Sequence, residues 1–144
     1  MTNYFSLKLN TSRIVICGSM SLITEMKNNA NQLSSMGYTA ILPAEEDWDN
    51  IPSEKINEYK RKVSLQHFCE ISNEATYAVL IVNETKKGIK NYIGANTFAE
   101  IAIAFYFNKR IFLLNGIYEP FKDELLAWGA VSLNGSTDNI RTFN

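Results

Sequence analysis

The sequence predicts an α/β fold: a single-domain, Rossmann-like (flavodoxin-like) arrangement. Its five-stranded parallel sheet, of order 2-1-3-4-5, carries helices on both faces. Three observations predict it. Short β-branched runs without polar alternation recur along the chain, as strands buried on both faces require. Stretches with apolar residues at helical spacing separate them. Gly, Pro and Asn stand at most of the junctions. Strands that alternate with helices imply crossover connections and one parallel sheet covered on both sides.

Residues 1–12 are expected to form an N-terminal arm, with Phe5, Leu7 and Leu9 alternating with polar residues as in an edge strand. Arg13–Cys17 is the first strand, and Gly18 permits a sharp turn out of it. Ser19 or Ser21 is expected to cap a helix bearing Leu22, Met26, Ala30, Leu33 and Met36, which Gly37 ends. Thr39–Leu42 is the second strand, stopped by Pro43. An acidic loop over 44–52 leads into a long helix from Ser53 to Asn73, with Ile56, Tyr59, Val63, His67 and Ile71 along one face. Tyr77–Val82 is the third strand. A helix carrying Glu100 follows, then a fourth strand at Arg110–Leu114, a short helix over Glu119–Trp128 and a fifth strand at Ala130–Leu133. The domain is expected to span 13–135, with 136–144 as a polar C-terminal tail.

A chain of 144 residues is one domain by length, and 46% hydrophobic with 20% charged residues is ordinary for a soluble globular protein. A formal net charge of -1 argues against a nucleic-acid surface. The first residues lack the basic-then-apolar pattern of a signal peptide, and the longest apolar run, Ile101–Phe107, is too short to cross a membrane. Cys17 and Cys69 have no metal-ligand spacing around them and read as reduced thiols of a cytoplasmic protein. No nucleic-acid partner, membrane, metal or organic cofactor is expected.

Glu100 is the residue on which function turns. Thr97-Phe-Ala-Glu100 fits a T-x-x-E capping box, a purely structural role. Yet Phe98, Ile101, Ala102 and Phe105 form one apolar stripe of its helix, and Ile103, Ala104 and Phe107 on the other side are apolar too. A helix apolar all round is buried, so its one ionised side chain before the last turn points to a covered site. The Gly18-Ser19-Met20-Ser21 turn offers backbone N–H groups and hydroxyls at a helix N-terminus, a ready anion site. Lys86, Lys87 and Lys90 lie in the loop after the third strand. Trp48 reads either as a core-packing aromatic or as a flap over a planar ring. His67, the only histidine, reads as a structural residue on an apolar face or as part of a pocket. In a 2-1-3-4-5 sheet the switch point lies between the first and third strands, which brings Gly18–Met20 opposite Asn83 and the Tyr92–Glu100 segment.

Tyr92-Ile-Gly-Ala-Asn-Thr-Phe-Ala-Glu100 resembles the helix-entry motif of the nucleoside 2-deoxyribosyltransferase superfamily, which includes deoxynucleotide N-hydrolases. Cys17-Gly-Ser-Met20 resembles the phosphate-holding Gly-Ser turn of the hydrolase branch, and the similarity spans Arg13 to Gly135. Asn96 stands where many members have glycine, and Thr76 where they often have aspartate. The resemblance implies N-glycosidic bond cleavage or transfer on a nucleoside or its monophosphate, without a cofactor. Glu100 would be the nucleophile and Tyr92 its catalytic neighbour. Gly18, Ser19, Met20, Ser21, Asn83, Gly94, Asn96 and Thr97 would bind substrate, with Trp48 and His67 as further pocket residues. It implies a homodimer or a higher symmetric oligomer as well. Two other classes compete: a non-catalytic nucleotide binder in which Glu100 only caps its helix, and an assembly protein whose Glu100 helix is an interface.

Overall fold

In the computed structural model the described residues are 12–45 and 47–143. The arm expected over 1–12, except Ser12, lies outside them, as do Glu46 of the acidic loop and Asn144. Five apolar runs become the strands β1 (Arg13–Cys17), β2 (Thr39–Ile41), β3 (Thr76–Ile81), β4 (Arg110–Leu113) and β5 (Val131–Ser132). They form one sheet of order β2-β1-β3-β4-β5, and every pairing is parallel. The helices between them are α1 (Ile23–Ser35), α2 (Ile56–Ser72), α3 (Ala95–Tyr106) and α4 (Lys122–Ala127).

The pleat sorts the core into two layers. Ile14 and Ile16 of β1, Ala78 and Leu80 of β3 and Phe112 of β4 face α1, packing with Met26, Ala30 and Leu33. Their neighbours Val15, Cys17, Val79, Ile81, Ile111 and Leu113 pack on the opposite side with Ile71 of α2, Ile101 and Ala104 of α3 and Leu125 of α4. Each fully buried aliphatic side chain stabilises the fold by about 1.5–3 kcal/mol, so slipping a strand by one residue would cost several of them at once. Cys17, the last residue of β1, therefore lies on the α2–α3 side of the sheet.

Helix ends follow local chemistry. Tyr38 N–H reaches back to Leu33 O at 3.0 Å across Gly37, whose φ of 92° suits glycine. The same closure recurs at Asn108 after α3, where Lys109 N–H donates to Ala104 O at 2.8 Å. The segment read as a polar tail is folded: Thr137–Phe143 is a 3-10 helix, Ile140 is fully buried in the α1 layer, and Thr137 Oγ1 donates to Gln32 Oε1 at 2.9 Å.

Two cap expectations are corrected. Ser19 and Ser21 do not cap α1, which starts at Ile23 after a 3-10 turn over Met20–Leu22. The helix bearing Glu100 starts at Ala95 with Gly94 as its N-cap, so Thr97 is already inside its first turn and buried. The T-x-x-E capping box is thereby excluded, because Glu100 sits a turn too deep to reach the cap's N–H.

Candidate functional site

The C-terminal ends of β1 and β3 lie side by side, with Val82 N–H donating to Cys17 O at 2.8 Å. The loops that leave them must diverge, and a crevice opens between. Gly18 lets the chain turn there: a Cβ at this position would lie 3.1 Å from Val82 O, tighter than backbone readily accepts.

Glu100 projects from α3 beneath this crevice, with a side chain only 3% exposed. His67, reaching over from α2, places Nδ1 against Glu100 Oε2 in an ion-pair contact, its own side chain 11% exposed. The other ring nitrogen, His67 Nε2, has no hydrogen-bond partner among the described residues. Asn96, one turn earlier on α3, donates from Nδ2 to Glu100 Oε1 at a long 3.5 Å. Cys17 completes the group from below, its thiol pushed well above the ordinary range by burial and further by the Glu100 carboxylate beside it.

A cavity of about 60 Å³ borders this cluster, lined among others by Gly18, Met20, Ala44, His67, Asn96 and Glu100. It has room for several waters, and only part of a nucleotide would enter it.

The turn above the cavity is electropositive on one side. Ser19 Oγ lies 2.9 Å from Ser21 Oγ and accepts a hydrogen bond from Lys86 Nζ at 3.1 Å. Lys86 is held in place by a two-residue hairpin turn. Its N–H and C=O pair with Ile89 at 3.0 and 2.9 Å, and Lys87 and Gly88 take φ values of 51° and 78°.

The other candidates lie elsewhere. Asn83 is fully buried, and its carboxamide joins two loops: Nδ2 donates to Gly116 O at 2.7 Å, and Oδ1 accepts from Asn115 N–H at 3.0 Å. The side chain thereby ties the loop after β3 to the loop after β4. Tyr92 packs edge-on against Tyr118 with ring centres 5.6 Å apart, and Lys86 Nζ lies 5.6 Å from its ring centre. Neither Tyr92 nor Trp48 lines the cavity, whereas Pro43 and Ala44, which precede Trp48 in the same segment, do. Thr76 opens β3 at the far end of the sheet, where its hydroxyl binds Glu70 O at 2.7 Å and accepts from Arg13 Nε at 3.1 Å. Sequence reasoning missed Cys17 and the contact of Lys86 with Ser19. The alternation along β1 carried the signal for Cys17, which shares the face of Val15.

No family model matches the chain, and no curated protein matches it. Among solved structures, the Clostridium botulinum CMP N-glycosidase BcmB matches with a TM-score of 0.52. The match covers 92% of this chain and 98% of that one, at 13% identity. The two chains share a fold. No helix among the described residues is long and apolar enough to cross a membrane.

Proposed function

We propose that this protein cleaves the N-glycosidic bond of a nucleoside monophosphate or nucleoside, with Glu100 as the nucleophile. The observation that carries the reading is the Glu100 carboxylate, buried at the C-terminal crevice against His67 with a cavity alongside. Sharing a fold with a CMP N-glycosidase supports it. Attack of the carboxylate on the anomeric carbon would break the bond to the base through an oxocarbenium-like transition state. Water or a second base would then resolve the glycosyl-enzyme. His67 would hold the carboxylate through Nδ1, and Nε2, without a hydrogen bond among the described residues, would exchange a proton with the departing base. Asn96 steadies the other carboxylate oxygen. Phosphate would lie over Gly18–Ser21, where backbone N–H groups, two hydroxyls and Lys86 meet. Copies of the chain would associate through the apolar end of α3.

The test is release of free base from a panel of nucleosides and monophosphates by the wild type and by Glu100→Gln. Turnover is expected to fall by at least about a thousandfold in the variant, as when an attacking group is removed. Ligand binding should survive, and denaturant titration serves as the control for folding, because the variant also alters the buried contact with His67. Equal turnover in both proteins would refute the role of Glu100.

A further inference from the structure

Three side chains of metal-ligating type converge where no sequence spacing announced them. Cys17 comes from the end of β1, His67 from α2 and Glu100 from α3. A sulfur, an imidazole nitrogen and a carboxylate oxygen lie within 4.8 Å of one another. The three are enclosed, Cys17 at 0% exposure and the Glu100 side chain at 3%. Glu100 Oε2 sits against His67 Nδ1 within the cluster, so two of the donor atoms already face one another. Buried sulfur, nitrogen and oxygen donors converging on one point are the arrangement a bound ion needs.

We propose that Cys17, His67 and Glu100 form a three-ligand site for one divalent transition-metal cation of the zinc class. Zinc takes sulfur, nitrogen and oxygen donors at about 2.0–2.3 Å, which sets tetrahedral ligands roughly 3.3–3.8 Å apart. Small side-chain rotations bring the three donors to that spacing, with the His67–Glu100 contact opening to admit the ion. The cavity bordering His67 and Glu100 leaves a fourth position for an exchangeable water. A thiol and an imidazole disfavour magnesium and calcium, which prefer all-oxygen shells. The site stands by itself. Its consequence, that a bound cation occupies the nucleophile and shuts off cleavage, rests on the function proposed above.

Cobalt(II) is the probe, titrated into the chelator-stripped full chain. One equivalent is expected to bind, with a thiolate-to-cobalt charge-transfer band and the intense visible bands of tetrahedral cobalt. The band should persist in Cys69→Ser, whose thiol is exposed, and vanish in Cys17→Ser. His67→Gln should weaken binding by at least about tenfold. This variant decides the matter if Cys17→Ser does not fold, because unchanged affinity overturns the site. A charge-transfer band lost in Cys69→Ser and kept in Cys17→Ser overturns it as well. Stoichiometric zinc should abolish base release and a chelator restore it. Cobalt binding without base release from any ligand would uphold the site and sink the glycosidase reading. Base release without cobalt binding would do the reverse.

Discussion

Ser19 is the residue that reads phosphate in the proposed function, and its surroundings make the role testable. Its hydroxyl is tied to Ser21 and Lys86 and caps no helix, so Ser19→Ala removes little from the fold. One charge-assisted hydrogen bond to a phosphate is worth about 1.5–3 kcal/mol when desolvated. Calorimetry is expected to show affinity for a monophosphate falling by about tenfold or more, and affinity for the matching nucleoside unchanged. Equal losses would show that Ser19 only shapes the turn. The two cysteines differ in burial. Cys17 is fully buried with its thiol pushed up by burial, whereas Cys69 is exposed on α2. In native, chelator-treated protein a thiol reagent at neutral pH should modify one cysteine rapidly and the second only on unfolding. Rapid modification of both would mean that the end of β1 opens readily.

At the scale of elements, strand and helix identity followed from periodicity, but helix starts did not. The apolar stripe of α3 was legible from Phe98 onward, while Ala95 and Asn96 add a polar or small first turn that no stripe marks. Gly94 caps with its backbone alone, and Thr97, a better cap by type, is spent inside the helix. Asn83 shows the same limit between elements. Read from the sequence as a substrate contact, it also joins Asn115 and Gly116, a partnership that no spacing along the chain marks. Asn83→Ala should leave a buried N–H and a C=O unpaired and lower stability by about 2–3 kcal/mol in denaturant titration. The KM of any reaction at Glu100 should stay the same. A raised KM with unaltered stability would return Asn83 to the substrate.

At the scale of the whole molecule, aromatic surface stays uncovered at the end of α3. Phe105, Tyr106 and Phe107 are exposed at 47%, 80% and 45% at the end of α3, with Phe105 stacked on Trp128. A contiguous aromatic patch of that kind favours association of copies. Light scattering at micromolar concentration is expected to give a dimeric or larger mass, shifting toward the monomer in a Phe105→Ser/Tyr106→Ser variant; a monomeric wild type would end that reading. Sequence alone determined the sheet and its order, because strand alternation, glycine turns and helical stripes are local signals that add up along the chain. It pointed to an enclosed Glu100, but not to the whole helix being buried: Thr97, Glu100, Ile101 and Ala104 are covered while Phe105, Tyr106 and Phe107 stay exposed. Tertiary structure alone decided what meets that acid. Cys17, His67 and Glu100 lie on three elements far apart in sequence, and only the pleat of β1 and the packing of α2 against α3 bring their polar atoms together.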